Sequence, residues 1–482
     1  MMPFLEAAQF TAGRVVNLPA GAAFDGVTTD SRALRTGELF IALRGEHFDG
    51  HEFVLGALQQ GAAAAMVDSA WLAKHAEAAG SLPLLVVADC RLALGDLAAG
   101  WRGRFELPLI AITGSNGKTT VKEMCAAILR EQAKRDGRDG EPGAAASVLA
   151  TEGNLNNDIG MPLMLLRMRE RHRVAVIEMG MNHPGEIHYL ANIARPTVAV
   201  ITNAQRAHLA GLGGLTAVAQ AKGEIFAGLS PGGSAVINLD DPHAGLWREL
   251  AGRHRLIGFA LESSGPEVSA QVAAQVTGRY LPRGFGGLLQ LVTSAGTAEV
   301  ELSVPGRHNA QNALAATAAC LAAGAGLAAV VAGLSGYAGT KGRLQRRPAL
   351  HGATLIDDSY NANPDSMRAA IEVLAAQPGK KIFVLGDMGE VGEAAAQFHD
   401  EIGGYAKSMG VDRLLALGEQ AATAVRNFDS GGSHFKSVAA LIAALRPLLD
   451  AQTTVLVKGS RFMRMERVAD AITEQEGDTH VA

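Results

Sequence analysis

Residues 113–120 read Thr-Gly-Ser-Asn-Gly-Lys-Thr-Thr, a short loop whose residue types and spacing are suited to binding phosphate. An apolar run at 107–112 precedes the loop, and apolar residues at helical spacing follow it. Backbone N–H groups and the helix dipole then point at one place, where Lys118 can neutralise terminal phosphates and the Thr119 hydroxyl can hold Mg²⁺. An ordinary strand-to-helix turn is the weaker alternative, because the flanking strand and helix both fit the motif. The candidate phosphate-binding residues are Gly114, Ser115, Asn116, Gly117, Lys118, Thr119 and Thr120.

Candidate metal ligands follow the next two predicted strands. Glu178 closes the strand 174–178, and the carboxyl ends of parallel strands line the ligand crevice of such sheets. This carboxylate is therefore placed to hold Mg²⁺ beside the phosphate loop, with a solvated strand end as the alternative. His208 comes five residues after Asn203, which ends the following strand. The sequence leaves both a structural and a metal-binding role open for this histidine.

Lys222 lies in a predicted helix and by itself would be a surface lysine. If burial lowered the pKa of its amine, the amine could react with CO₂ and become a carbamate. Such a modification would convert a cation into a metal-binding anion. The sequence does not decide between the two states.

Polar strings also follow other predicted strands or open a helix. The string 151–162 is dense in amides, 306–312 begins a helix, and the strings at 357–364, 386–390 and 458–461 follow successive strands. Polar loops at successive strand ends imply one crevice, although turns, a polar helix start and solvated loop cations are the competing interpretations. The candidate ligand-binding residues in these strings are Thr151, Asn154, Asn157, Asn309, Asn312, Tyr360, Asn361, Asn363, Lys458, Ser460 and Arg461.

Alternating strand and helix patterns must position these residues. They predict an α/β fold whose central part is a parallel sheet with helices on both faces, followed by a second, smaller α/β unit. The charged, glycine-containing segment 131–147 is predicted to be a surface loop. The predicted strands are 38–43, 84–88, 107–113, 174–178, 197–202, 235–238, 354–357, 381–386, 413–418 and 454–457.

The composition narrows the class of protein. A chain of 482 residues exceeds one ordinary core, and about 150 residues per domain suggests three domains. The net charge of −5 gives no sign of a nucleic-acid surface, so local groups would have to meet an anionic substrate. Cys90, Cys125 and Cys320 are far apart and fit reduced core residues. With no signal segment or long apolar run, we expect a cytoplasmic protein without a membrane span.

Taken together, the strings resemble those of the Mur ligases of peptidoglycan synthesis, over essentially the whole chain. The most specific is Asp-Ser-Tyr-Asn-Ala-Asn-Pro at 358–364, joined to the phosphate loop and to Gly-Arg-His-Asn at 306–309. The resemblance implies a three-domain fold with an N-terminal α/β domain for a UDP-substrate, a central parallel-sheet ATPase domain and a C-terminal Rossmann-like domain. The implied limits are 1–105, 106–325 and 326–482, and the segment 131–147 looks longer than the family's usual connection.

The resemblance also implies ligands and residue roles. It implies ATP, Mg²⁺ as two ions, UDP-N-acetylmuramoyl-tripeptide and D-alanyl-D-alanine, and a monomer with neither nucleic acid nor membrane as partner. The catalytic set would be Lys118, Lys222 and His208, with Lys222 the modifiable lysine, and the metal set Thr119, Glu178 and His208. Asp30, Ser31 and Arg32 would bind the uridine end, Asn309 and Asn312 would lie on the adenine side, and Arg343 and Asp358 would reach the nucleotide from the third domain.

The mechanism expected from these parts has two steps. The peptide carboxylate attacks the γ-phosphate of ATP, with Lys118 and Mg²⁺ spreading the charge, and the amine of the dipeptide then attacks the acyl phosphate. Closure of the third domain would exclude water from that intermediate. Two alternatives remain at this stage: a ligase of the same architecture acting on folate, and a switch or muropeptide sensor that hydrolyses ATP. The sequence leaves open lysine or diaminopimelate as the third peptide residue, and the oligomeric state.

Overall fold

The computed structural model describes residues 1–138, 145–207, 209–262 and 274–474. Its first domain is built on a sheet of order β2-β7-β6-β5-β4, parallel except for the β2–β7 pair, with β1 and β3 paired separately. Its elements are β1 Met2–Pro3, α1 Phe4–Phe10, β2 Arg14–Val16, β3 Ala23–Phe24, β4 Gly26–Thr28, β5 Glu38–Ile41, α2 Val54–Gln59, β6 Ala64–Asp68, α3 Ser69–Lys74, α4 Ala76–Ala79, β7 Leu84–Val87 and α5 Cys90–Arg102.

The central domain carries the largest sheet among the described residues. Its elements are β8 Leu109–Thr113, α6 Lys118–Ala133, β9 Val148–Ala150, α7 Gly160–Leu165, β10 Val174–Glu178, α8 Glu186–Ala194, β11 Val198–Ile201, α9 Leu209–Leu212, α10 Leu215–Gly223, β12 Ser234–Asn238, α11 Ala244–Ala251, β13 Arg255–Leu261, β14 Val276–Arg283, β15 Gly286–Thr293, β16 Gly296–Leu302, α12 Arg307–Ala322 and α13 Leu327–Ser335. The strand order is β16-β15-β14-β13-β12-β11-β8-β10-β9, parallel from β9 to β14 and antiparallel beyond.

The register of the central sheet brings three strand ends together. In the parallel ladder, Glu178 at the end of β10 pairs with Ile112 of β8, and Ile201 at the end of β11 pairs with Thr113. Strands β10 and β11 therefore flank the strand that leads into the phosphate loop. Buried, apolar β8 is an interior strand between β10 and β11, as expected for a strand with helices on both faces.

The third domain is a smaller parallel sheet of order β17-β18-β22-β19-β20-β21, with only the β17–β18 pair antiparallel in the described chain. Its elements are β17 Gln345–Pro348, β18 Thr354–Asp358, α14 Pro364–Ala375, β19 Lys380–Gly386, α15 Ala395–Ser408, β20 Arg413–Leu417, α16 Ala421–Phe428, β21 Gly432–Phe435, α17 Val438–Leu445, β22 Thr453–Lys458 and α18 Glu466–Ala471. Asn363 caps α14, where its side chain accepts a hydrogen bond from the Ser366 N–H at 2.9 Å and Pro364 takes the first helical position.

The hydrophobic cores show how the domains are joined. One core runs without a break from Phe24 and Trp101 of the first domain to Ile177 and Trp247 of the central domain. The two faces of the third sheet have cores of their own. The first two domains therefore share apolar packing, whereas the buried residues of the third sheet's two cores all belong to the third domain.

The predicted α/β architecture is confirmed, and the predicted strands of the central sheet are present with bounds shifted by at most two residues. Several features differ from the predictions. The predicted loop 131–147 begins as helix, because α6 continues to Ala133, and residues 139–144 lie outside the described part. The antiparallel strands β14–β16 had not been predicted, since their glycines and Pro282 are poor strand formers. No helix in the described ranges is long and apolar enough to cross a membrane.

Candidate active site

The phosphate loop is enclosed so tightly that two of its residues must be glycine. Gly114 has φ +145° and a Cβ there would lie 1.9 Å from Thr202 Oγ1. Gly117 has φ +84°, and its Cβ would lie 2.3 Å from Asn312 Oδ1 of α12. Side chains are excluded by both the backbone conformation and the neighbouring elements. The loop therefore keeps its backbone available for a ligand.

Lys118, the first residue of α6, folds back over this loop. Its ammonium donates hydrogen bonds to the Gly114 carbonyl at 2.8 Å and to the Ser115 carbonyl at 3.3 Å. Burial lowers the pKa of Lys118, Glu178 opposes that shift, and Arg343 adds to it. The ammonium group is thus held at the loop, and a bound anion would offset the free-energy cost of burying its charge.

Glu178 is a buried carboxylate with both oxygens engaged. Oε2 accepts a hydrogen bond from the Thr119 hydroxyl at 2.9 Å, and Oε1 accepts one from Asn156 Nδ2 at 2.8 Å. The Thr151 hydroxyl accepts the backbone N–H of Glu178 at 2.9 Å. Thr151 thus supports the strand end that carries the carboxylate.

The pair of Thr119 and Glu178 fits a magnesium ion held together with nucleotide phosphates. Mg²⁺ prefers oxygen ligands and in such sites keeps waters and substrate phosphates beside one or two protein groups. The described residues contain no group of three or more His, Cys, Asp or Glu that could hold a metal alone. His208, the third predicted metal ligand, lies outside the described residues.

Arg343 extends from the third domain to the phosphate loop. Its Nη2 donates a hydrogen bond to Thr119 Oγ1 at 3.0 Å, and its guanidinium lies 4.3 Å from the ring centroid of Tyr360. Also in the third domain, the Lys458 ammonium pairs with the Asp358 carboxylate and donates a hydrogen bond to the Asn361 carbonyl at 3.0 Å. Burial raises the pKa of Asp358, and Lys458 opposes this shift.

These groups line one cavity of about 710 Å³, here called the central cavity. All three domains contribute to its wall, the first through Glu46 and Arg91. The predicted site residues in the wall are Ser115, Asn116, Gly117, Lys118, Thr119, Thr120, Asn154, Asn157, Glu178, Asn309, Asn312, Arg343, Asp358, Tyr360, Asn361, Asn363, Lys458 and Arg461.

Some predicted site residues do not line the central cavity. Asp30 accepts hydrogen bonds from the backbone and guanidinium of Arg32, in a turn just after β4 that also contains Ser31. The Ser460 hydroxyl is buried and donates to the Asp387 carbonyl. Asp30 and Arg32, for which a role at the uridine end is predicted, therefore form a local ion-paired turn, and neither residue lines the central cavity.

Lys222 is fully buried on α10, and no described residue accepts a hydrogen bond from its Nζ. Burial lowers its pKa well below the ordinary lysine value, and Lys118 lowers it further. The carboxylates of Glu186, Glu224 and Glu178 act in the opposite direction. A buried amine without a described partner, whose pKa is lowered by burial, has the chemistry needed to react with CO₂.

Sequence analysis missed several polar residues around the loop. Asn203 Oδ1 accepts the Asn116 backbone N–H at 2.9 Å, and Gln205 Oε1 accepts Asn116 Nδ2 at 2.6 Å. Asn156, His308 and Gln311 also line the cavity. Asn156, His308 and Gln311 lie within the polar strings 151–162 and 306–312, and Asn203 and Gln205 directly follow the predicted strand 197–202, so these positions were the available signal. Which amide among them faces the ligand depends on the local backbone.

Family models and a relative of known name match this chain along most of its length. Family models described as "Mur ligase family, catalytic domain", "Mur ligase middle domain" and "Mur ligase, glutamate ligase domain" match residues 23–102, 112–320 and 342–461. A relative from Escherichia coli (strain K12), named UDP-N-acetylmuramoyl-tripeptide–D-alanyl-D-alanine ligase, is 41% identical over 452 residues, covering 93% of this chain and 94% of the relative.

Two solved structures have the same overall fold. A crystal structure of MurF from Acinetobacter baumannii has a TM-score of 0.85 at 37% identity, covering 97% of this chain and 98% of that one. MurF ligase from Thermotoga maritima, in complex with ADP, has a TM-score of 0.77 at 25% identity, covering 92% and 96%. The likeness thus includes all three domains.

Proposed function

Because the chain belongs to the Mur ligase family, we propose that it joins D-alanyl-D-alanine to the terminal carboxylate of UDP-N-acetylmuramoyl-tripeptide. ATP is consumed, and the products are UDP-N-acetylmuramoyl-pentapeptide, ADP and phosphate. The observation that carries the proposal is the meeting of Lys118, the Thr119–Glu178 pair and Arg343 in one cavity walled by three domains. We propose 1–105, 106–325 and 326–482 as the domain limits.

The first step brings two anions together. The carboxylate of the bound peptide attacks the γ-phosphorus of ATP, the bond to the β-phosphate oxygen breaks, and an acyl phosphate and ADP result. Lys118 at the phosphate loop and Arg343 from the third domain supply positive charge where the transferred group develops negative charge. When bound, Mg²⁺ would be held by Thr119 and Glu178 and would add charge at the triphosphate.

The second step forms the amide bond. The free amine of the dipeptide attacks the activated carbonyl, phosphate leaves, and the amine loses its proton. The third domain's wall of Tyr360, Asn361 and Arg461 supports its role in binding the dipeptide, because these residues line the same cavity as the phosphate loop. Keeping them over the loop also excludes water that would otherwise hydrolyse the acyl phosphate.

The remaining assignments are part of the proposal. We place a second magnesium ion beside a carbamate on Lys222, with His208 completing the metal set, and the adenine near Asn309 and Asn312. The turn at Asp30, Ser31 and Arg32 binds the uridine end, which places the peptide between the first domain and the phosphate loop. The enzyme acts as a cytoplasmic monomer.

Phosphate release with and without each substrate tests this function. A ligase releases phosphate only when ATP, the UDP-linked tripeptide and D-alanyl-D-alanine are all present, and the amount equals the pentapeptide formed. Release with ATP alone would favour a nucleotide-driven switch. Release with a folate and glutamate in place of the cell-wall substrates would favour the folate alternative.

A further inference from the structure

We propose that Arg206 is a positioning residue that fixes the third domain over the phosphate loop, an inference that rests on the proposed ligase function. Arg206 lies in the segment after β11, and its hydrogen-bond partners among the described residues belong to the third domain. Its backbone N–H donates to Asp365 Oδ2 at 2.7 Å, while Nε and Nη2 donate to Asp365 Oδ1 at 2.9 and 2.7 Å. On its other side, Nη1 donates to Glu401 Oε2 at 2.9 Å.

The arrangement has the geometry of a specific contact. One planar guanidinium binds two carboxylates, and it lies 5.3 Å from the ring centroid of Phe398. The side chains of Arg206, Asp365 and Glu401 are 26%, 24% and 30% exposed. These charges are more shielded from water than an ordinary surface pair, so removing one partner costs more.

A second contact lies beside the first and reaches the phosphate loop. Asn363, two residues before Asp365, donates from Nδ2 to Asn116 Oδ1 at 2.8 Å. Gln205, next to Arg206, accepts from Asn116 Nδ2 at 2.6 Å. The segments 205–206 and 363–365 are therefore joined twice, once by the ion pair and once through the phosphate-loop amide. The ion pair sets how closely Asn363 approaches the loop.

The functional consequence follows from the need to position the acceptor. The amine of the dipeptide must meet the acyl phosphate in reactive geometry, and small displacements of the supporting domain reduce the rate strongly. Without Arg206, the third domain would be held less firmly over the central cavity. The reaction of the dipeptide with the acyl phosphate would then be less efficient, and water would reach more of the acyl phosphate.

Steady-state kinetics of Arg206→Ala test the inference. With the dipeptide varied at saturating ATP and tripeptide substrate, we expect kcat/KM for the dipeptide to fall on the order of tenfold or more, mainly through KM. Phosphate release should exceed pentapeptide formation in this variant. Combining Arg206→Asp with Asp365→Arg, which reverses the pair, should restore part of the loss of Arg206→Asp alone.

Arg368→Ala is the matched control. Arg368 donates to the same Glu401 at 3.0 Å, but both residues belong to the third domain. This variant should keep the dipeptide kcat/KM and the equality of phosphate and pentapeptide. A wild-type chain that forms no pentapeptide would overturn the proposed function. A competent wild type with an unchanged Arg206→Ala, or with equal losses in Arg206→Ala and Arg368→Ala, would overturn only the positioning role.

Discussion

The Thr119 hydroxyl donates a hydrogen bond to Glu178 Oε2 at 2.9 Å, joining the start of α6 to the end of the neighbouring strand β10. The same hydroxyl accepts a hydrogen bond from Arg343 at 3.0 Å. A group of the central domain that can hold Mg²⁺ is thus in contact with a cation of the third domain. Thr119 therefore joins the proposed metal site to the third domain.

Replacing Glu178 by Gln should weaken Mg²⁺ binding, because the amide keeps the shape of the side chain but loses its charge. We expect the Mg²⁺ concentration for half-maximal activity to rise by about tenfold or more. A magnesium titration of ligase activity measures this concentration. Glu301→Gln, which changes an exposed carboxylate of β16, is the control and should leave the titration unchanged. An unaltered midpoint in Glu178→Gln would contradict the metal assignment.

Lys118→Ala should reduce kcat by a factor of hundreds or more, the scale found when a charge-stabilising group is lost. The lysine is held at the loop by the Gly114 and Ser115 carbonyls, so its loss removes positive charge from the loop itself. Turnover at saturating substrates is the measurement. Lys380→Ala removes an exposed lysine that pairs with Asp450 and should retain activity. Near-normal turnover of Lys118→Ala would be incompatible with the mechanism.

Gly117→Ala should abolish nucleotide binding, and Gly232→Ala should not. Both glycines have positive φ, +84° and +77°, so each substitution carries a backbone cost of about 1–2 kcal/mol. Only the Cβ at Gly117 meets a neighbour, Asn312, whereas the one at Gly232 meets open space. Calorimetric titration with ADP measures the nucleotide affinity of each variant. It thereby separates the backbone cost, which both variants share, from the clash with Asn312, which only Gly117→Ala has. Equal nucleotide affinities in the two variants would show that the enclosure of the loop is unimportant.

Lys222 should carry a carbamate when CO₂ is present. In ¹³C-labelled bicarbonate, we expect a carbamate carbon resonance that Lys222→Gln lacks and the exposed-site variant Lys380→Gln keeps. Burial lowers the pKa of Lys222, which favours the unprotonated amine that reacts with CO₂. A wild-type spectrum identical to that of Lys222→Gln would exclude the modification.

His172 should make the fold sensitive to acid. Burial lowers its pKa from 6.5 to about 4, and its Nδ1 accepts the Arg169 backbone N–H at 2.9 Å, which requires an unprotonated nitrogen. Between pH 6.5 and about 4 the unfolded chain binds the additional proton, so the contribution to stability is complete above pH 6.5 and is lost as the pH falls.

Urea unfolding at several pH values measures this effect. The free energy of unfolding of His172→Gln should depend less on pH over that interval than that of the wild type. His188→Gln changes an exposed histidine of α8 and should follow the wild-type curve. Parallel curves for His172→Gln and the wild type would show that another group causes the acid sensitivity.

The amino-acid sequence alone was enough to predict the phosphate loop, the carboxylate at the end of β10 and the α/β class. These features depend on residues close together in the chain, where strand, turn and helix follow from local spacing and glycine content. The same reasoning located the polar strings around the central cavity. It could not show that the Thr151 hydroxyl accepts the backbone N–H of Glu178 while Asn156 contacts the Glu178 carboxylate. The direction of a side chain in an irregular segment depends on how that segment packs against its neighbours.

Only the tertiary structure decided which distant groups meet. Asn116 and Asn363 are 247 residues apart in the chain, and Arg206 and Asp365 are 159 apart. No local pattern encodes such pairs, since they arise when two separately built sheets pack against each other. The burial of Lys222 was equally invisible, because a lysine in a helix is ordinarily solvated and only the surrounding elements remove the water. Sequence determined the chemistry available at each strand end, and packing determined how those groups are combined into one site.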